Sequence, residues 1–221
     1  MNKILVGCPT SDRKEYCFEE YLESVKTLSY SNYDILIVDN SETDEYYEKI
    51  KKYLPVLKSK FYENARDSIV ESRNILREYA LEKGYDYFLS LEQDVIPPRD
   101  IIETLLKSNK KVISGLYFYV VDDKLIPMAW GKHDEKHARR LEVKDVEKNK
   151  VMEVVTAGLG CCLIHIDILE KIKFRYVKEK KPFDDIWFCE DVRKINEQIY
   201  LDTSVKCKHL IKNWSWDNIK K

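Results

Sequence analysis

The chain has 221 residues, with 38 lysines and arginines against 39 aspartates and glutamates and a formal charge of -1, so no global field selects nucleic acid or an anionic membrane. That length suits one sizeable α/β domain, and any substrate is recognised locally. No apolar run approaches the roughly 20 residues that span a bilayer, and Met1-Asn2-Lys3 leads into a short apolar strand rather than a signal peptide. Six scattered cysteines without a CxxC pair suit buried, reduced thiols, so a cytoplasmic protein is expected, with peripheral contact at a membrane surface left open.

Lys3 to Cys8 and Tyr33 to Val38 are apolar runs, the first broken at Pro9 and the second at Asp39-Asn40-Ser41, and both read as buried parallel strands. Between them Phe18, Tyr21, Leu22, Val25 and Leu28 recur at helical spacing, which completes a βαβ unit. Helices are predicted from about Glu42 to Tyr53 and from about Asp67 to Lys83, the latter stopped by Gly84. Tyr85 to Leu91 is an aromatic and apolar strand that ends abruptly in Glu92-Gln93-Asp94-Val95-Ile96-Pro97-Pro98. A helix from about Arg99 to Lys107 and a strand from Lys111 to Val121 follow. After Val121 the pattern weakens: Leu125 to Trp130 and Lys150 to Thr156 read as strands around a charged loop at Lys132 to Val146. The last helix is placed at about Ile186 to Ile199, before a tail mixing lysines with Trp214 and Trp216.

The expectation is thus a Rossmann-like βαβ half, about residues 1–98, and an irregular half with mixed strands, about residues 99–221, with ligands at the carboxyl ends of the strands. Glu92 and Asp94 are two apart in an extended stretch, so their side chains project to one side where the strand leaves the sheet. Two carboxylates there suit a hard cation such as Mg²⁺ or Mn²⁺ shared with substrate phosphates; the alternative is that Asp94 caps the turn before Pro97. Asp39 either reaches a ribose or base or organises its own Asp-Asn-Ser turn. Glu190 and Asp191 follow Phe183-Asp184-Asp185-Ile186-Trp187-Phe188-Cys189, a run in which acids beside apolar groups either have raised proton affinity, useful in a general base, or are the ordinary acids of a helix N-terminus. His133 and His137 are four apart, but their charged context makes a surface loop the better reading than zinc. Among the tryptophans, Trp187 beside the acids is the one singled out to stack on a sugar.

In chain order, Pro9-Thr10, Val38-Asp39-Asn40-Ser41, Ser72-Arg73-Asn74, Leu91-Glu92-Gln93-Asp94 and Glu190-Asp191 resemble the GT-A-fold glycosyltransferases, particularly those of family 2. Glu92 stands where that family's metal-binding DxD element has its first Asp, and Ser72 where its Ala-Arg-Asn element has Ala. The resemblance covers the first strand to His209 and implies a single GT-A domain with a mixed central sheet. It implies that Pro9 and Thr10 line the nucleotide pocket, that Asp39 and Arg73 bind the donor, and that Glu92, Asp94 and His209 hold Mn²⁺ or Mg²⁺. One acid of Glu190-Asp191, with Asp191 preferred, would take the acceptor's proton, and the Thr156 to Gly160 turn would lie near the donor sugar. The implied reaction moves a sugar from a nucleotide-diphosphate sugar, UDP before GDP, onto a glycan, lipid-linked or other hydroxyl acceptor with inversion. A sugar nucleotidyltransferase is the enzymatic alternative, argued against by the absence of a Gly-rich phosphate loop after the first strand; a non-catalytic carbohydrate-binding protein of this fold is the other.

Overall fold

The computed structural model describes residues 1–122, 124–134 and 137–213. Trp214 and Trp216 lie outside the described residues, as do two members of the charged loop, Glu135 and Lys136.

The first half follows the expected order. It runs β1 (Ile4–Thr10), a 3-10 helix (Asp12–Cys17), α1 (Phe18–Lys26), β2 (Tyr33–Asp39), α2 (Glu45–Lys51), β3 (Val56–Lys58), α3 (Ala65–Glu82) and β4 (Tyr87–Leu91). The whole of β1 and β4 is buried, as an uninterrupted apolar run requires of an inner strand. Gly84, with φ +64°, ends α3 in the left-handed conformation that a side chain disfavours. The remainder is β5 (Val95–Ile96), α4 (Ile101–Lys107), β6 (Val112–Leu116), β7 (Phe118–Val121), β8 (Lys124–Pro127), β9 (Ala129–Lys132), β10 (Ala138–Arg140), α5 (Val143–Val146), β11 (Val151–Val154), β12 (Thr156–Ala157), β13 (Cys161–His165), α6 (Ile166–Lys171), α7 (Asp184–Lys194), β14 (Ile199–Lys206) and β15 (Lys208–His209).

Eight strands form one mixed sheet in the order β11-β14-β6-β13-β4-β1-β2-β3. β1 pairs in parallel with β2 and β4, whereas β13 runs antiparallel between β4 and β6. The chain turns one way from β1 into β2 and β3 and returns on the other side as β4, so a crevice opens between the carboxyl ends of β1 and β4. Helices cover both faces. Phe18, Tyr21, Ile50, Ile102 and Leu105 pack on one, and Leu76, Ala80, Ile168, Leu169, Phe188 and Val192 on the other. All six cysteines are buried.

Three expectations shift. The strand placed at Lys111 to Val121 breaks at Tyr117 into β6 and β7, where the Tyr117 ring packs against Gly158 and Gly160 and its hydroxyl accepts from the Gly160 N–H at 3.1 Å. The last helix begins at Asp184 and ends at Lys194, so Ile199 opens β14 instead. The charged loop contains β10 and α5, the short helix held by reciprocal Glu142 and Asp145 capping. On that hairpin His137 Nδ1 lies 2.9 Å from Asp134, and no cluster of three metal-ligating side chains occurs among the described residues.

A methyl group at Gly7 in β1 would sit 2.3 Å from Phe88 Cε2 and 3.1 Å from Leu76 Cδ2. Neither ring nor branch has room to retreat between α3 and the sheet. Gly7→Ala is expected to lower stability by about 1–3 kcal/mol, seen as a lower urea midpoint at an unchanged m-value.

Candidate active site

β4 stops at Leu91 because residues 92–95 make a turn, closed by the Val95 N–H on the Glu92 carbonyl at 2.9 Å. The three side chains of Glu92-Gln93-Asp94 therefore leave in different directions. Gln93 is buried and ties three segments together: its Oε1 accepts from the Thr10 hydroxyl at 2.5 Å and the Tyr46 hydroxyl at 2.9 Å, and its Nε2 donates to the Lys14 carbonyl at 2.6 Å. This fixes the 3-10 helix after β1 against the end of β4 and brings the Lys14 ammonium onto Asp94 Oδ2. Immediately beyond the turn, β5 pairs antiparallel with β15, setting His209 opposite Val95. His209 Nε2 lies 3.3 Å from Asp94 Oδ2. Its Nδ1 is 2.8 Å from the Phe118 carbonyl, which only accepts, so the Nδ1–H donates there and Nε2 is aimed at Asp94.

Asp94 is 4% exposed. Burial acts to raise its pKa, but the His209 hydrogen bond and the Lys14 charge outweigh it and hold the carboxyl below its usual range. Its Oδ1 is buried with no hydrogen-bond partner among the described residues. An orphaned carboxylate oxygen beside an imidazole nitrogen oriented by a carbonyl fits a divalent cation.

Glu92 turns instead to Arg73. This arginine projects from α3 into the core, 1% exposed, and its guanidinium meets Glu92 Oε1, Asp184 Oδ2 at 2.7 Å and Ser90 Oγ at 2.5 Å. Two adjoining clefts flank this cluster. The smaller, about 240 Å³, is lined by Pro9, Thr10, Lys14, Asn40, Ser41 and Asp94; the larger, about 670 Å³, by Arg73, Tyr117, Trp130, Arg140, Asp185 and His209. Ile69, Glu92 and Phe183 line both.

The chain matches glycosyl transferase family 2 over residues 8–172. It belongs to that family. No curated protein matches it. Among solved structures it resembles GalNAc-T7 with UDP, GalNAc and Mn2+ (12% identity, TM-score 0.69, 97% of this chain and 45% of that one). It also resembles the mannosyltransferase PcManGT from Pyrobaculum calidifontis in complex with GDP-Man and Mn2+ (14%, 0.66, 96% and 58%) and S. aureus TarS (16%, 0.62, 95% and 37%). The chain spans about half the length of these proteins or less, and at such identities the likeness is one of fold: the GT-A arrangement of a nucleotide-binding half and a mixed sheet. Family and fold together support a nucleotide-sugar glycosyltransferase. No helix among the described residues is long and apolar enough to cross a membrane.

Of the residues singled out in this family 2 chain, Pro9, Thr10, Glu92 and Asp94 line the smaller cleft, and His209 joins Asp94. Others lie elsewhere, each for a physical reason. The turn at residues 92–95 breaks the strand alternation, so although Glu92 and Asp94 border the same cleft, Glu92 pairs with Arg73 while Asp94 pairs with Lys14 and His209. Arg73 itself lines the larger cleft, not the smaller one. Asp39 is fully buried beneath the smaller cleft; Oδ1 accepts from the Ser41 N–H and hydroxyl at 3.2 and 2.5 Å, and Oδ2 from Lys58 at 2.8 Å, so it organises its own turn. Asp191 and Glu190 line neither cleft. Arg175 grips Asp191 through two bonds of 2.6 and 2.7 Å and, as the largest influence, holds its carboxyl below the usual range, while Lys194 pairs with Glu190 at 2.5 Å.

Trp130, not Trp187, walls the larger cleft; Arg175 lies over the Trp187 ring at 5.4 Å. The glycines of the Thr156 to Gly160 turn are required by Tyr117, whose hydroxyl would be 2.0 Å from a Cβ at Gly158. Lys14 escaped the sequence reading, because one lysine in a charged turn gives no signal until Gln93 places it.

Arg73 carries the most consequence for stability. Arg73→Met leaves Glu92 and the buried Asp184 without their cation, an expected loss of about 3–5 kcal/mol near neutral pH. Burial keeps the Asp184 carboxyl raised even with Arg73 beside it. The variant's deficit therefore shrinks as pH falls and Asp184 protonates, which denaturant titrations at pH 7.5 and pH 4.5 would detect.

Proposed function

We propose that this family 2 protein transfers a sugar from a nucleotide-diphosphate sugar to an acceptor hydroxyl, with a divalent cation held by Asp94 and His209. The observation that carries the reading is the orphaned Asp94 Oδ1 beside the oriented His209 Nε2, at the mouth of a cleft walled by Pro9, Thr10 and Lys14. Glu92, expected as a third ligand, is engaged by Arg73, so the protein's share of the site is two side chains and the donor phosphates complete it.

Nucleotide contacts fall to Pro9, Thr10, Asn40 and Ser41 on the cleft wall; a base or ribose reaching Asp39 would displace Ser41 or Lys58. Burial opposes the charge of Lys14, yet Asp94 outweighs it and pushes the ammonium's pKa up, so Lys14 stays cationic and is placed to turn from Asp94 to a diphosphate. Bound at this position, Mn²⁺ or Mg²⁺ supplies Lewis-acid stabilisation of charge on the departing nucleoside diphosphate. The larger cleft, with Trp130 offering an aromatic face, takes the acceptor, a glycan or lipid-linked hydroxyl reached at a membrane surface or in solution. A single displacement, as the family resemblance implies, inverts the anomeric centre. UDP and GDP sugars are both plausible donors, since GalNAc-T7 holds UDP and the mannosyltransferase GDP-Man, each with Mn2+.

Calorimetric titration with UDP, GDP and their common sugar conjugates, in Mn²⁺, Mg²⁺ or chelator, tests the reading. One nucleotide is expected to bind only with metal, and Asp94→Ala to weaken it at least tenfold with the fold intact by circular dichroism. Binding that ignores both chelator and Asp94→Ala would remove the cation from the proposal.

A further inference from the structure

On the transferase reading the larger cleft takes the acceptor, and two of the groups that line it are cations the fold does not use, Arg140 and Lys181. Among the described residues every arginine except Arg13 and Arg140 donates to a protein oxygen, as Arg73 does to Glu92, Arg175 to Asp191 and Arg193 to the Val155 carbonyl. Arg140 is exposed. What holds it is the ring of Trp130, its partner in the β9–β10 pairing, with Cζ 4.5 Å from the ring centroid. Contact with a ring face steadies a guanidinium without consuming its N–H donors, so those of Arg140 stay open to a ligand.

Lys181 ends a basic strap. Between Lys171 and Lys181 stand six lysines and arginines against one acid, Glu179. The strap is tied to the start of α3 by groups other than its ammonium ions: the Tyr176 hydroxyl donates to Asp67 at 2.7 Å, and Arg66 donates to the Lys180 carbonyl. Lys178, Lys180 and Lys181 are exposed, and no carboxylate pairs with any of them among the described residues. The acids of the larger cleft lie further in, Asp184 buried against Arg73 and Asp185 half-buried beside it. No Asn, Gln, Ser or Thr lines this cleft, so apart from the rings of Tyr117, Trp130 and His209 its polar side chains are all charged. The open hydrogen-bond donors of its rim are therefore cationic.

We infer that the acceptor is an anion: a hydroxyl compound bearing a phosphate or carboxylate group, which Arg140 and Lys181 hold at the rim while its hydroxyl faces the donor. A planar guanidinium meets either group through two parallel bonds, and a lysine adds a point charge. Such an acceptor needs cations, since it enters beside a diphosphate of the same sign. A neutral sugar makes no such demand.

The test needs no turnover. It uses the full chain and matched probes: p-nitrophenyl glucuronide against p-nitrophenyl glucoside for a carboxylate, and glucose 6-phosphate against glucose for a phosphate. Each is titrated by calorimetry and by NMR of the Arg140 Nε–H, assigned with Arg140→Gln. At least one anionic probe is expected to bind about tenfold or more tighter than its neutral partner at low ionic strength and to lose that margin in high salt. The pair with the larger margin names the group. Arg140→Gln and Lys181→Gln should each cut the margin at least threefold and the double variant abolish it, with nucleotide affinity within twofold of the parent and the fold intact by circular dichroism. Equal binding of charged and neutral probes, binding of neither, or a margin that survives in the double variant overturns the assignment. So does a tenfold loss of nucleotide affinity in Arg140→Gln, which would give that cation to the donor. If the parent protein binds no nucleotide sugar yet keeps the margin, the transferase reading fails and the acceptor role falls with it; nucleotide binding without the margin removes the anionic acceptor alone.

Discussion

One buried guanidinium organises the end of the sheet where the two clefts open. Arg73 sits where an apolar side chain of α3 would otherwise pack, and such a charge is tolerated only because Glu92, Asp184 and Ser90 surround it. The three partners come from the end of β4 and the start of α7, so satisfying one cation joins α3 to both. Lysine would not serve here, because the contacts use the spread nitrogens of a planar fork. Once Arg73 has claimed Glu92 and Asp184, Asp94 is left to Lys14 and His209, while Asp185 borders the larger cleft.

The second organising element is a neutral side chain. Gln93 presents both a donor and two acceptor positions, and all three are used, on Thr10, Tyr46 and the Lys14 backbone. A glutamate there would lose the bond to the Lys14 carbonyl and leave that oxygen facing a carboxylate. The acid-amide-acid order at residues 92–94 thus has a division of labour: the amide builds the wall of the smaller cleft, while the flanking acids face two different cations.

The βαβ half was legible because its signals are local. Uninterrupted apolar runs gave β1, β2 and β4, helical spacing gave α1, and Gly84 marked the end of α3. The later half was not: β13 runs antiparallel between β4 and β6, and nothing in Cys161 to His165 states a direction. The metal-fitting pair was half legible. Asp94 stood out at a strand end, but His209 reaches it only through the β5–β15 pairing of residues more than a hundred positions apart. The resemblance drew attention to Glu190-Asp191; Lys194 stands at helical spacing from both, but no spacing rule reveals Arg175, which grips Asp191 from outside the helix. Periodicity placed the start of α7 at Ile186, two residues late, and those two residues are Asp184 and Asp185. Local pattern locates elements; which acid is free depends on which cations fold back onto it.

Charge balance in the donor cleft gives an independent reason to expect a cation there. Arg13 and Lys14 stand with Asp12, Glu92 and Asp94 in the lining, and Arg73 pairs with Glu92, so the cleft offers no net positive charge to an anionic diphosphate. The phosphate-binding devices that fold families use without metal, a glycine-rich loop or a cluster of unpaired basic groups, are missing from the Gly7 to Arg13 segment, and Lys14 is already committed to Asp94. On the proposed reading, a divalent ion on Asp94 would make the site positive and free Lys14 for the phosphates. Donor and metal should therefore bind with positive coupling, each raising the affinity of the other by the same factor, as linkage requires.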